Sequence, residues 1–297
     1  MTATEQDAAP LVDEDLVRRL VAEQFPGWAG LAVRRFPSGG TVNAMYRLGD
    51  DLVVRLPLGE GGAPDVLREQ WWLPRLAPRL PTPVPEVLGE GRPSGEYPWP
   101  WSVHRWLEGA HPEAGALDQP RALARDLAGF VRAMGALTLP DAPTAHRGGP
   151  LTALDRDTRA AVEELREIPE EGVDCEAVLA VWEDGLRAPE WDRPPVWLHA
   201  DLMPGNVLVS AGRLSAVLDF GCLGVGDPAC DLFPAWNLLP PEGREVFREA
   251  LDVEEATWRR GRARTLSQAL IALPHYRHGN PAMAGNARHV IRAVLED

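Results

Sequence analysis

Lysine is absent from the sequence: all 30 basic side chains are arginine. A mechanism that uses a lysine elsewhere must find an arginine here, or nothing. Cysteine is scarce and odd in number, with Cys175, Cys222 and Cys230 and no C-x-x-C spacing. That excludes a disulfide scaffold and a cysteine-based zinc site and fits a reducing compartment. No apolar run approaches the roughly 18 residues that suggest a membrane span. The opening stretch, MTATEQDAAPLVDEDL, is acidic and polar, unlike a secretion signal. A cytoplasmic protein without a membrane partner is therefore expected. Positive charge is also short: the net charge is −14 and the pI near 5. Such a surface repels phosphate backbones, which argues against nucleic acid, and attracts cationic ligands.

What is present describes a folded chain. Hydrophobic residues make up 45% and charged residues 25%, the balance of a globular protein rather than a disordered one. Residues 13–25 carry apolar positions at Leu16, Val17, Leu20, Val21 and Phe25, which is helical spacing with acids in the first turn. Strand-like runs follow at 31–36, 43–48 and 51–56, the last two separated by the turn signal Gly49-Asp50. A helix is expected from about Pro64, bent or ended by Pro74 and Pro78. Residues 101–109 read as a further strand. Beyond it, helical patterns cover 119–137, 155–168, 174–186 and 241–273, interrupted by short strands around 196–218. Strands dominate the first third and helices the remainder. The expected fold is α+β and bilobal, with a small N-terminal antiparallel-sheet lobe (1–107) and a larger helical C-terminal lobe (108–297).

The chemistry concentrates in VWLHADLMPGNVLV, residues 196–209. Asp201 and Asn206 lie five apart, and Asp219, in AVLDFG, follows Asn206 by 13 residues. The intervening NVLVSAGRLSAVLD reads as strand, turn, strand, so a hairpin would return Asp219 to the vicinity of Asn206. A carboxylate and an amide at adjacent strand ends offer the hard oxygen ligands that Mg²⁺ prefers. Asp201 could then accept a proton from a hydroxyl nucleophile. Alone, H-x-D and D-F-G are common; in this order and spacing they form a catalytic set for phosphoryl transfer. The bland alternative is a polar turn whose Asp and Asn cap backbone groups.

LHADLMPGNVLV, AVLDFG and GDPACDL resemble the aminoglycoside phosphotransferase family, small-molecule kinases with a protein-kinase-like fold. Protein kinases usually carry lysine two residues after the catalytic Asp, where this chain has Met203 followed by Pro204-Gly205. No A-P-E segment follows D-F-G. The resemblance implies Asp201 as catalytic base and Asn206 and Asp219 as Mg²⁺ ligands, with His199 buttressing the loop. Asp227 and Asp231 would brace the loop or cap the following helix. In the N-terminal lobe it implies a basic residue on the third strand, held by a helix glutamate, gripping the phosphates of ATP or GTP. Arg55 and Glu69 occupy those places, with Asp65 as an alternative partner less well placed in the helix. Arginine departs from the usual lysine but stays charged and can grip phosphate bidentately; a solvent-facing strand arginine is the other reading. Ser38-Gly39-Gly40-Thr41 stands where a phosphate-covering turn belongs, or is a plain hairpin turn. The linker at Arg105, Trp106 and Leu107 would receive adenine.

The implied activity is transfer of the γ-phosphoryl group to a small-molecule hydroxyl, first of all on an aminoglycoside-type antibiotic. A kinase of a small metabolite or a macrolide is the alternative, and a catalytically silent nucleotide-binding homologue, motivated by Arg55, is another. Residues 163–184 hold nine acids against one base, Arg166. They would attract a cationic acceptor, or form a solvated helix face. Monomer and homodimer both stay open.

Overall fold

The computed structural model describes residues 12–37 and 42–297. Ser38, Gly39, Gly40 and Thr41 lie outside the described residues. Contacts divide the chain into two compact units, one comprising residues to 78 together with 84–107, the other 79–83 together with 108–297.

The first unit begins with α1 (Glu14–Gln24), whose N-terminus is capped by Asp13 accepting from Leu16 N at 2.8 Å. Its apolar stripe, Leu16, Val17, Leu20 and Val21, is buried in the unit's core. Then follow β1 (Val33–Phe36), β2 (Asn43–Leu48) and β3 (Leu52–Pro57), α2 (Ala63–Leu76), β4 (Val87–Gly91) and β5 (Trp101–Arg105). Among the described residues these strands form one antiparallel sheet in the order β1-β2-β3-β5-β4. Gly49, with φ of 59°, turns the chain between β2 and β3. β3 is buried along its whole length, so Arg55 is carried inside and not on a solvent face.

The second unit contains α3 (Pro120–Gly135), α4 (Asp155–Arg166), α5 (Cys175–Arg187), β6 (Val196–Leu198), β7 (Val207–Ser210), β8 (Arg213–Val217) and β9 (Gly224–Gly226). After these come α6 (Pro234–Asn237), α7 (Pro241–Leu251), α8 (Glu255–Tyr276) and α9 (Pro281–Leu295). β7 and β8 form an antiparallel hairpin, and β6 pairs with β9. α8 is the central helix: its Trp258, Ala263, Leu266, Leu270 and Leu273 are buried, and it packs against α4, α5 and α9. The α+β reading with strands early and helices late is what the chain adopts.

Three local expectations change. The single helix expected over 241–273 is two, because Asp252 takes a left-handed conformation (φ 52°) and its N–H closes back on Arg248 and Glu249. α2 passes through Pro74 to Leu76, since Leu73 and Leu76 are fully buried and their packing outweighs one lost intrahelical bond. The strand expected to reach 109 ends at Arg105.

Candidate active site

β6 delivers the chain into the loop from His199 to Asn206, and the β7–β8 hairpin brings it back at Asp219. Leu218 N donates to Asn206 O at 2.8 Å, so the two segments are tied one residue before Asp219. Ala200 and Asp219 both have positive φ, 65° and 60°. For residues with a Cβ that conformation costs energy and is kept only where surroundings impose it.

Here the surroundings are specific. Asp231, fully buried, accepts from His199 N at 2.8 Å and Ala200 N at 2.7 Å, one carboxylate oxygen to each. Burial pushes the Asp231 carboxyl's pKa up, against the pull of His199 and these two N–H donors. His199, also fully buried, accepts from Asp201 N on Nδ1 at 3.2 Å, which leaves Nε2 to carry the proton and donate to Leu218 O at 2.9 Å. Its ring lies against Phe220, 4.6 Å between centroids. Asp227 caps the 3₁₀ turn Pro228–Leu232 through Ala229 N and holds buried Arg260 at 2.7 and 3.0 Å. Of the two braces suggested by sequence, Asp231 thus fixes the loop and Asp227 fixes the turn beyond it.

Asp201 emerges from this frame with both carboxylate oxygens engaged. Asn206 Nδ2 donates to Oδ2 at 3.0 Å and to the Asp201 main-chain oxygen at 2.9 Å. Oδ1 accepts from Arg147 Nη1. Because the Asn206 amide nitrogen is committed to Asp201, its oxygen is the end left for a ligand, with no protein partner among the described residues. Asp219 adjoins it through the Leu218–Asn206 bond. This amide–carboxylate pair fits Mg²⁺, which keeps several waters and takes its remaining ligands from substrate phosphates. Among the described residues no group of three or more His, Cys, Asp and Glu is placed to hold a metal ion.

Arg147, in TAHRGGPL between α3 and α4, belongs to no motif that the sequence reading singled out. Burial alone would lower its pKa; Asp201 leads the charges that overturn this and hold it raised, so the guanidinium stays charged. Asn237 on α6 escaped that reading as well: it is fully buried, and its Nδ2 donates to Leu202 O at 3.1 Å, steadying the loop one residue past Asp201. Neither lies near the loop in sequence. The one local cue was Gly148-Gly149 beside Arg147, the mark of a close backbone approach.

In the first unit, Arg55 and Glu69 come together. Arg55 Nη1 lies 2.6 Å from both Glu69 oxygens, Arg55 is 6% exposed and Glu69 fully buried. With the Asn43 amide turned to satisfy both groups, its oxygen accepts from Arg55 Nη2 at 3.0 Å and Nε at 3.2 Å. At the end of β5, Arg105 is exposed and bound to Glu86 at 2.6 Å. Trp106 N donates to Asp51 O, and its ring lies under the Arg47 guanidinium. Leu107 is half-buried.

Seven of the nine acids in the run 163–184 are paired or act as a cap. Glu163 and Glu176 pair with Arg166, Glu170 with Arg277, Glu171 with Arg288, Glu183 with Arg159, and Asp184 with Arg259. Asp174 caps α5 through Ala177 N. Most of the run is thus paired with arginines of neighbouring segments, while Glu164 and Glu167 are exposed.

Known structures share this fold. The GDP complex of a point mutant of aminoglycoside 2'-phosphotransferase-IIIa matches with a TM-score of 0.75 and 19% identity, over 95% of this chain and 97% of that one. The GDP and kanamycin complex of an APH(2") enzyme matches at 0.74 and 18%, over 94% and 98%. The macrolide 2'-phosphotransferase MphH from Brachybacterium faecium matches at 0.64 and 22%, over 94% and 97%. No curated protein sequence matches the chain. The model of the APH phosphotransferase enzyme family matches residues 33–264, well over half of the sequence, and includes the loop, the hairpin and both buried acids. The chain therefore belongs to the APH family of phosphotransferase enzymes.

Proposed function

We propose that the protein transfers the γ-phosphoryl group of ATP or GTP to a hydroxyl of a small molecule, with an aminoglycoside-type antibiotic as the first acceptor class. The observation that carries this reading is the Asp201 carboxylate, oriented through Asn206 and Arg147 with Asp219 alongside. In the transfer, the acceptor oxygen forms a bond to the γ-phosphorus while the bond to the β–γ bridging oxygen breaks. That electron pair leaves with the nucleoside diphosphate, and the acceptor's proton passes to Asp201. Mg²⁺, when bound at Asn206 and Asp219, would neutralise phosphate charge. Asp231 and His199 keep the loop from relaxing, so the base need not reorganise during the reaction.

Residues 1–107 would serve as the nucleotide-binding lobe, with Arg55 held by Glu69 to grip donor phosphates, Ser38 to Thr41 covering them, and the linker at Arg105, Trp106 and Leu107 receiving the base. Residues 108–297 would carry the acceptor. Aminoglycosides lead because the net charge of −14 draws cations and because the matched structures include aminoglycoside kinases. The pairing of acids 163–184 favours a second reading, in which the acceptor is a macrolide or a small uncharged metabolite. The test is consumption of Mg·ATP and Mg·GTP across aminoglycosides, macrolides, amino alcohols and sugars. Tight nucleotide binding without turnover on any of them would favour a silent binder instead.

A further inference from the structure

The loop from His199 to Asn206 carries no cation of its own: between them stand Ala, Asp, Leu, Met, Pro and Gly. A phosphoryl group in flight spreads negative charge over its oxygens, and donors aimed at that charge matter most to such reactions. Arg147 brings a positive charge to the loop from another segment. Its Nη1 donates to Asp201 Oδ1, to Ala200 O at 3.3 Å and to Cys222 Sγ at 3.7 Å. Its Nε and Nη2 have no partner among the described residues, and the side chain is 32% exposed. One edge of the guanidinium is therefore locked on the base, and the other opens to solvent beside it.

The mounting is unusually firm for an arginine with an open edge. Ala145 N donates to Val225 O at 3.0 Å, His146 N to Cys222 O at 3.1 Å, and Asp227 N to Gly148 O at 3.1 Å. Arg264, 2% exposed on α8, donates to Arg147 O at 2.7 Å and to Gly149 O. Gly148 and Gly226 touch backbone to backbone: a Cβ on Gly226 would lie 2.6 Å from Gly148 Cα. A buried arginine spent on two carbonyls, with three cross-segment bonds and a glycine contact, holds Arg147 in one place. Such preorganisation suits a group that must meet charge only as it develops.

We propose that Arg147 is the phosphoryl-binding cation of this site, one edge fixing Asp201 while the open edge receives the oxygens of the transferring group. The proposal rests on the phosphotransferase reading of Asp201, Asn206 and Asp219. Arg147 exchanges no proton in the step; it binds the planar, charge-spread phosphoryl group more strongly than the ground state.

Aluminium fluoride with a nucleoside diphosphate mimics that planar group, so ADP and GDP are titrated calorimetrically in Mg²⁺ with and without it. The wild type is expected to bind the diphosphate more tightly when fluoride is present. Arg147→Gln is expected to keep its affinity for the Mg·diphosphate alone and to lose about 10²-fold of the tightening. Arg147→Lys recovers part, because charge returns without the planar fork. Full tightening in Arg147→Gln would overturn the proposal, as would a wild type that binds the diphosphate with no tightening. A wild type that binds neither diphosphate would instead sink the phosphotransferase reading itself. Should Arg147→Gln not fold, Arg147→Lys carries the test: a tightening reduced about tenfold supports the proposal, and an undiminished one refutes it.

Discussion

In the proposed reaction the chemistry converges on one carboxylate, Asp201, whose oxygens are held by Asn206 in its own loop and by Arg147 from a distant segment. Asp201→Ala is expected to lower turnover by about 10²–10⁴-fold, the usual range for a lost general base, while Mg·nucleotide binding by calorimetry stays near that of the wild type. Unchanged product formation would remove Asp201 from this role. Arg55→Ala is expected to raise the KM for the nucleotide and destabilise the fold, because it takes a guanidinium away from the fully buried Glu69 carboxylate. Arg55→Lys should be milder, and steady-state kinetics with both variants separates grip from scaffolding. The loop, the hairpin return and the Arg55–Glu69 pair were legible because each is a short pattern at fixed spacing. Arg147, Arg264 and Asn237 were not, because their roles come from contacts between segments that sequence separation conceals. His199 and Asp231 were visible as residues, but their division of labour arises only in the folded chain: Asp231 takes two main-chain N–H groups, and His199 joins the loop to the returning hairpin.

At the scale of elements, close approaches decide where substitutions hurt. Gly185 on α5 faces α8 so closely that a Cβ would lie 2.2 Å from Ala263 Cβ. Gly185→Ala is expected to cost about 1–3 kcal/mol of stability, read by chemical denaturation, with little effect on kinetics in the folded fraction. A stability equal to the wild type's would show that the two helices part freely. The early strands were readable as short runs around the Gly49-Asp50 turn, and α1 from its apolar spacing. The break at Asp252 was hidden because no glycine or proline marks it, and just three residues, Asp252, Val253 and Glu254, the first in a left-handed conformation, separate α7 from α8. Pro74 misled in the opposite direction, since core burial of Leu73 and Leu76 keeps α2 intact. Local signals lose where packing on both sides is complete.

For the molecule as a whole, stability depends on pH and ligand through named groups. Asp126 on α3 binds Arg213 on β8 at 2.6 Å through both oxygens, and that hydrogen bonding holds its carboxyl below the ordinary value. A depressed carboxyl contributes stability above its unfolded pKa and loses it as pH falls through the folded one. Asp126→Asn should therefore cost roughly 0.5–1 kcal/mol at neutral pH. The gap to the wild type should close well below pH 3.8, the ordinary value, as thermal unfolding across pH would show. Asp231 runs the other way: its carboxyl is raised, so burying its charge costs stability that returns as pH falls through the folded value. Mg·nucleotide at about 100 times its dissociation constant should stabilise the fold by about 2.7 kcal/mol. That gain should shrink in an Asn206→Ala/Asp219→Ala double variant if these residues hold the metal. The ion pairs that cover the acidic run have a further consequence. Every cation in them is a guanidinium, so they hold their charge past the pH of about 10.4 at which lysine pairs begin to fail. Nor do they present the amine that monoaldehydes, cyanate and acyl donors attack, so the network keeps its charge under amine-directed modification.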